Sequence, residues 1–144
     1  MSQADFYILK EAEDEQRFFV ACRLTEKAMA QGLKVYIHTA SEQSAQDMDD
    51  LLWSFKPESF IPHTIVGLED NMDDEEIHVL IGYEGNASTK GQLLINLCDK
   101  VPDEHENFDR IAEIVPNREE AKAISREHWN TYKTLGFELK HHQM

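Results

Sequence analysis

The sequence predicts an α/β protein with a single open, mainly parallel sheet and helices on both faces. Three observations indicate this class. Segments of strand length alternate with segments whose apolar residues recur at helical spacing. The inner strand candidates are almost continuously apolar, as expected for parallel strands covered on both faces. The 144 residues contain no linker or internal repeat, so residues 1–144 are predicted to form one domain with its own core.

The first three predicted elements are a strand, a helix and a second strand. DFYIL, at 5–9, has the length and composition of a strand, and an acidic turn follows it. A helix is predicted from about Asp14, because apolar and small residues then recur at helical spacing until Gly32 can end it. LKVYIHTA, at 33–40, is β-branched and mostly apolar, which favours a buried strand.

The second helix is predicted to begin after Ser41, whose hydroxyl can cap its first turn, and to end before Pro57. Its outer positions are acidic. Its inner stripe consists of four apolar residues, which are Ala45, Met48, Leu51 and Leu52. Because these four already supply the core-facing side, Trp53 is not needed in the core.

The second half of the chain is predicted to contain three strands and a terminal helix. Strands are expected at 77–83 and 93–98, with a turn containing Gly and Ser between them. The segment 109–115 fits a strand or a short helix, and we favour the strand. The last helix is predicted to be capped by Asn117, opened by acidic residues and ended by Gly136.

The charge of the chain excludes several classes of partner. Its 28 acidic and 14 basic residues give a formal net charge of −14, which opposes direct binding to nucleic acid or to an anionic membrane. The N-terminal sequence does not resemble a secretory signal, and no apolar segment approaches the roughly 18 residues that cross a bilayer. Cys22 and Cys98 lack disulfide or zinc-site spacing and are expected to be buried thiols. We therefore expect a cytoplasmic protein.

The sequence contains no recognisable motif for catalysis, a cofactor or a metal. GNASTKG, at 85–91, has the wrong order for a phosphate-binding loop, and the turn after the first strand lacks the glycines of a dinucleotide-binding loop. The acidic run at 69–76 lacks EF-hand spacing and is expected to be a solvated loop. His141 and His142, with Met144, can pick up a metal adventitiously, but an exposed ragged terminus is favoured. An active site assembled from distant residues stays open.

The last helix concentrates positive charge. Residues 121–144 carry four Lys or Arg and two Asp or Glu, whereas the preceding residues carry ten and 26. One stripe combines cations with an aromatic residue and consists of Lys122, Arg126, Trp129 and Lys133. The side expected to face the sheet consists of Ala121, Ile124, His128, Tyr132 and Leu135. The outward stripe suits a short acidic peptide with an apolar end, or it reflects the favourable placement of cations near a helix C-terminus.

The segment LLWSFKPESFIPH, at 51–63, concentrates apolar residues where two prolines prevent regular structure. One interpretation is a satellite of the core that plugs the edge of the sheet. The other is an exposed patch for a protein partner. Both interpretations concern the same side chains, which are Trp53, Phe55, Phe60 and Ile61, and the residue pattern leaves both open.

Together these segments resemble the chi subunit family of bacterial DNA polymerase III holoenzyme. The resemblance is carried by FYIL at 6–9, LLW...PESFIPH at 51–63, VP at 115–116, RE at 126–127 and YKTLGF at 132–137. The block at 51–63 is the most specific part, because its Trp, Phe, Pro and His are not dictated by helix or strand periodicity. Residues 67–92 match the family poorly.

The resemblance implies a Rossmann-like sheet without nucleotide chemistry, no cofactor, and two protein partners. The psi subunit, which tethers chi to the clamp loader, is expected to bind a surface formed by Trp53, Phe60, Ile61, Pro62 and His63. The acidic, Phe-terminated tail of single-stranded DNA-binding protein is expected to bind Val115, Lys122, Arg126, Trp129 and Asn130. Asn130 stands where the family pattern has a lysine, and Lys133 can compensate for that missing charge.

The function predicted from the sequence is therefore a non-catalytic accessory subunit of the clamp-loader assembly that bridges psi and this tail. One alternative is an α/β enzyme with a dispersed active site acting on a nucleotide or another small molecule. Such an enzyme would have a deep pocket at the carboxyl ends of the strands. Another alternative is an adaptor that binds a helicase or a different replication factor through the surface around Trp53 and Phe60.

Overall fold

The structure is a computed structural model that describes residues 2–55, 63–65, 79–83, 91–101 and 108–143. These ranges contain seven strands and three helices. In chain order they are β1 (Gln3–Ile8), α1 (Asp14–Ala30), β2 (Val35–Thr39), α2 (Glu42–Phe55), β3 (His63–Ile65), β4 (Val79–Tyr83), β5 (Gly91–Asn96), β6 (Phe108–Val115), α3 (Glu119–Thr134) and β7 (Glu138–Gln143). The acidic run at 69–76 and most of the turn at 84–91 lie outside the described ranges.

The strands form one open sheet in the order β3-β4-β2-β5-β6-β1-β7, and all of its neighbouring pairs are parallel. Helices α1 and α2 pack on one face, whereas α3 packs on the other. The predicted fold class is therefore confirmed. The chain runs from β1 through α1 to β2 in one direction and from β6 through α3 to β7 in the other. Because crossovers are right-handed, opposite directions place the helices on opposite faces.

Each face of the sheet has its own apolar cluster, because successive strand residues point to opposite faces. On the α1 and α2 face, Ile37 and Ile81 pack with Met48 in an aliphatic cluster. The cluster beneath α3 is more aromatic and includes Phe6, Tyr36, Phe108, Trp129 and Tyr132. None of the helices in the described ranges is both long and apolar enough to cross a membrane.

Several predictions about the ends of elements are confirmed. Ser41 caps α2, because the backbone N–H of Ser44 donates to its hydroxyl oxygen at 3.1 Å. Gly32 and Gly136 follow helices with φ angles of 76° and 87°, a conformation that residues with a side chain rarely adopt. The segment 109–115, for which a short helix was the alternative, belongs to strand β6.

Three other predictions are wrong. Asn117 does not cap α3, because Arg118 occupies the cap position and the Asn117 amide donates to a backbone carbonyl of the β1–α1 loop. Leu135, expected to face the sheet, is 48% exposed because it follows the last residue of α3. Cys98 is only half-buried, whereas burial of Cys22 raises the pKa of its thiol to about 12.

The C-terminal segment forms a strand that the sequence analysis missed. His141 and His142 belong to β7, which pairs in parallel with β1 along its whole length, so the expectation of a ragged terminus is wrong. The ring of His142 stacks on Tyr7 at 4.9 Å, and its Nε2 lies 3.2 Å from a carboxylate oxygen of Asp5. Burial alone would raise the pKa of Asp5, but hydrogen bonds, led by the one from Arg110 at 2.9 Å, lower it.

The packing of Tyr36 against Gly82 provides a test of the core. A Cβ atom at Gly82 would overlap the Tyr36 hydroxyl and lie 2.6 Å from Cε1 of the ring. We expect Gly82→Ala to lower the free energy of unfolding by about 1–3 kcal/mol, measured by urea denaturation. The loss is expected to be smaller in a Tyr36→Phe background, which removes the overlapping hydroxyl. Equal losses in the two backgrounds would contradict this packing.

Candidate functional site

The carboxyl ends of β1 and β6 mark the point where the connections of the sheet diverge. These strands are neighbours, with Ile8 opposite Val115 in the register. β1 continues into α1 on one face, and β6 continues into α3 on the other. In open parallel sheets, a divergence of this kind leaves a crevice that commonly binds ligands.

A pocket of about 520 Å³ occupies this crevice and is called the α3 pocket below. It combines an apolar floor with a positively charged rim. The described residues that line it are Ile8, Leu9, Lys10, Val115, Asn117, Lys122, Ser125, Arg126 and Gln143. Of these nine lining residues, three are cationic and none is acidic. In a protein with a net charge of −14, this local excess of positive charge favours an anionic ligand.

Helical spacing places Lys122 and Arg126 side by side on the rim. They are four residues apart in the N-terminal half of α3, so they project from the same face of the helix. Lys122 is half-buried and Arg126 is exposed. Val115, the last residue of β6, is 5% exposed and contributes to the apolar floor. Three of the residues predicted to bind the acidic tail are therefore brought together around one pocket.

The other predicted residues of this surface lie farther along α3. Trp129 is half-buried and its ring lies 5.2 Å from that of Phe6, so it does not project freely between the cations as expected. Asn130 and Lys133 are exposed, and Asn130 borders a separate shallow depression of about 300 Å³. Trp129, Asn130 and Lys133 are absent from the described lining of the α3 pocket.

Of the residues predicted to bind psi, only the backbones of Trp53 and His63 are described, and His63 lies toward the other edge of the sheet. Trp53 is in the last turn of α2 and His63 begins β3, but their side chains, together with Phe60, Ile61 and Pro62, are outside what the structure describes. β3 is the edge strand opposite β7. Five strand spacings separate β3 from β1, which corresponds to about 24 Å at about 4.8 Å per spacing.

A buried carboxylate fixes α3 against the sheet. Glu113 of β6, 4% exposed, accepts hydrogen bonds from the Tyr132 hydroxyl and the Asn96 amide, each at 2.7 Å. Its other carboxylate oxygen lies 2.9 Å from Nδ1 of His128. The Nε2 atom of His128 lies 2.9 Å from the backbone carbonyl oxygen of Asp99. This network joins β5, β6 and α3 beneath the helix.

The hydrogen bonds of His128 indicate that its ring is positively charged. Both ring nitrogens face oxygen acceptors, and only the protonated imidazole donates from both. Burial alone would lower the pKa of His128, but the hydrogen bond and charge of Glu113, with the Asp99 carbonyl, raise it. Helical spacing correctly predicted His128 on the inner side of the helix, whereas Glu113 was not predicted to belong to the site. A single acid within the apolar strand sequence RIAEIV was the signal for it.

A second pocket, of about 370 Å³, lies across the carboxyl ends of β2, β5 and β6, where an enzyme of this fold would hold a substrate. Its charged lining residues are of both signs and include Arg17, Asp99, Glu113, Arg118, Glu120 and His128. Their formal charges cancel, and a substrate anion would gain little there. In the described part of the chain, no three His, Cys, Asp or Glu side chains are grouped to hold a metal.

Sequence comparisons identify similar proteins over nearly the whole chain. A family model described as DNA polymerase III chi subunit, HolC, matches residues 1–140. A protein named DNA polymerase III subunit chi from Pseudomonas aeruginosa is 36% identical over 144 residues, covering 100% of this chain and 98% of that protein. The protein of the same name from Haemophilus influenzae is 31% identical, covering 94% and 93%, and that from Escherichia coli is 26% identical, covering 83% and 80%.

A solved structure shares the arrangement of strands and helices. The matching chain belongs to the structure of S. cerevisiae Dbp5 bound to Gle1 and IP6, with a TM-score of 0.65 and 12% sequence identity. The match covers 98% of this chain and 42% of that chain. At this identity, the likeness concerns the fold alone.

The buried His128–Glu113 pair predicts a dependence of stability on pH. The raised pKa of His128 means that the folded protein holds this proton more tightly than the unfolded chain, where the ordinary value is 6.5. The resulting stabilisation is complete below about pH 6.5 and is lost as the pH rises through the folded-state pKa. We expect the free energy of unfolding, measured by urea denaturation, to decline across this range.

His128→Gln is expected to lower stability by about 3 kcal/mol below pH 6.5, because it leaves the buried Glu113 carboxylate without its cation. It should also remove the decline at higher pH. His141→Gln is the matched control, because His141 is exposed on β7. An unchanged pH profile in His128→Gln would show that the pair does not carry this dependence.

Proposed function

Because the chain belongs to the DNA polymerase III chi subunit family, we propose that it is a non-catalytic bridge in the clamp-loader assembly. One surface would bind the psi subunit, and a second would bind the acidic C-terminal tail of single-stranded DNA-binding protein. We expect the protein to work in the cytoplasm without a cofactor, as an accessory subunit and not as an enzyme. The partners follow from the sequence resemblance, and the geometry of the α3 pocket supports the second of them.

The observation that carries the proposal is the chemistry of the α3 pocket. A peptide that ends in phenylalanine presents a ring and a terminal carboxylate within a few ångströms of each other. The floor formed by Ile8, Leu9 and Val115 offers apolar contacts for the ring. Lys122 and Arg126 on the rim offer charge-assisted hydrogen bonds to the carboxylate and to acidic residues before it. The pocket thus fits both features of the tail.

The overall charge of the protein supports a peptide ligand over nucleic acid. A net charge of −14 repels the phosphate backbone of DNA, whose binding requires many cations spread over a large surface. The α3 pocket is instead a small cationic area that accommodates a few carboxylates. Attachment to protein-coated single strands would therefore run through the tail and not through the DNA.

The outer part of the proposed tail surface consists of Trp129, Asn130 and Lys133. Lys133 is eleven residues beyond Lys122, which at 1.5 Å per residue is about 16 Å along the helix. These residues would contact tail residues farther from the terminal phenylalanine. We expect Lys133 to contribute less to affinity than Arg126, because Lys133 is outside the described lining of the α3 pocket and its charge would interact with the peptide through solvent.

The proposed psi surface consists of Trp53, Phe60, Ile61, Pro62 and His63. Its support is the family resemblance of the block at 51–63 and the apolar stripe of α2, whose positions Ala45, Met48 and Leu52 are buried in the core. The separation of β3 from β1 across the sheet would let both partners bind at once.

Removal of one rim charge tests the tail site. We expect Arg126→Gln to weaken binding of a synthetic acidic, Phe-terminated peptide by about tenfold to a hundredfold, because charge-assisted hydrogen bonds are lost. Binding is measured by fluorescence anisotropy at several salt concentrations. Lys27→Gln is the matched control, since it removes the same charge from the end of α1 on the opposite face. Equal affinities of the two variants would refute the assigned pocket.

Truncation of the aromatic anchors tests the psi site. Trp53→Ala and Phe60→Ala are each expected to prevent co-purification with psi, because buried aromatic residues contribute most of the binding energy at such interfaces. Both variants should still bind the acidic peptide with wild-type affinity, which serves as the folding control. Retention of psi by both variants would show that this surface is not the interface.

A further inference from the structure

We propose that Lys10, in the loop after β1, is a third ligand-binding cation of the α3 pocket, and that Asn117 is the residue that positions it. This inference rests on the proposed binding of an acidic peptide to that pocket. Lys10 is not among the positions that match the family pattern. It enters the site because the fold brings the β1–α1 loop to the same pocket as α3.

Three hydrogen bonds fix the backbone around Lys10. The N–H of Leu9 donates to the Val115 carbonyl at 2.9 Å, and the N–H of Asn117 donates to the Glu11 carbonyl at 2.8 Å. Between them, the side-chain amide of Asn117 donates to the Lys10 carbonyl at 3.1 Å. These bonds continue the pairing of β1 with β6 beyond the ends of both strands. The backbone of Lys10 is therefore held at a defined distance from the start of α3.

This arrangement places cations on two sides of one pocket. Lys122 and Arg126 come from α3, whereas Lys10 comes from the loop after β1, and all three line the same space. A carboxylate between the two walls would be attracted from both directions, which orients it as well as binding it. The C-terminal end of a peptide that used these cations would lie across the carboxyl ends of β1 and β6, and its earlier residues would follow α3 toward Asn130.

The charges of these side chains are available to a ligand. In the described part of the chain, none of Lys10, Lys122 and Arg126 has a carboxylate partner. Three like charges around one pocket repel one another, so an anionic ligand relieves this repulsion as it binds. The ligand class is thus a peptide with several carboxylates near its C-terminus. Asn130 provides no charge on the helix, and Lys10 would provide a positive charge from the loop in its place.

Lys10→Gln is expected to weaken binding of a synthetic peptide with three aspartates before a C-terminal phenylalanine by about three- to tenfold. The same substitution should also reduce the salt dependence of peptide binding. Lys10→Arg keeps the charge and should retain affinity. For a peptide with asparagines in place of the aspartates, Lys10→Gln should change the affinity much less. Fluorescence anisotropy measures each affinity, and thermal denaturation checks that each variant is folded.

Asn117→Ala tests the positioning role. Asn117→Ala should weaken binding of the same peptide, although the Lys10 side chain and its charge are unchanged. In a Lys10→Gln background, Asn117→Ala should have little further effect, because it acts through Lys10. Additive losses in the double variant would show that Asn117 acts independently of Lys10, and the positioning role would be wrong.

The outcomes separate this inference from the proposed function. If the unmodified protein does not bind the peptide, the proposed tail site itself is wrong. If it binds, and Arg126→Gln weakens binding while Lys10→Gln behaves like Lys27→Gln, the tail site stands and the role of Lys10 is refuted. Loss of affinity in Lys10→Gln with recovery in Lys10→Arg would support the third cation.

Discussion

The buried carboxylate of Glu113 is the interaction on which the position of α3 depends. A carboxylate taken out of water needs hydrogen bonds and an opposite charge, because its uncompensated burial costs several kcal/mol. Tyr132 and His128 of α3 supply most of this compensation, and Asn96 of β5 supplies the rest. Since the two helix residues are four apart, they fix both the rotation of α3 and its position along β6. The polar network thus determines which side chains of the helix reach solvent.

The rotation of α3 accounts for both the accurate and the inaccurate parts of the predicted stripe. At 100° per residue, Lys122 and Arg126 point about 80° and 120° away from buried Tyr132, so half-buried Lys122 lies near the boundary and Arg126 faces outward. Trp129 lies only about 60° from buried Tyr132, so its indole falls at the boundary and rests on Phe6. Spacing along the helix identified the shared face, but the exact direction of that face depended on Glu113.

Local sequence signals were sufficient for elements that are buried or capped. The apolar run of β2, the inner stripe of α2 and the Ser41 cap all follow from patterns within about a dozen residues. The same signals failed at β7, because the edge strand ELKHHQ is mostly exposed and lacks β-branched residues. They also failed at Lys10 and Asn117, which are 107 positions apart and meet only because β1 and β6 are neighbours. The order of strands in a sheet is not encoded in local patterns.

The negative charge of the protein and the cationic lining of the α3 pocket are consistent with each other if the ligand is a short acidic tail. A uniformly basic protein would bind the phosphates of the DNA as well as the protein that coats it, and the two would compete. Here the acidic surface repels phosphate, while Lys10, Lys122 and Arg126 provide a small area that attracts a few carboxylates. A tail bound by so few charges would be held weakly, but a strand coated by several copies of the proposed partner would present several tails. If the proposed psi surface links the protein to the clamp-loader assembly, that linkage would raise the effective concentration of the next tail.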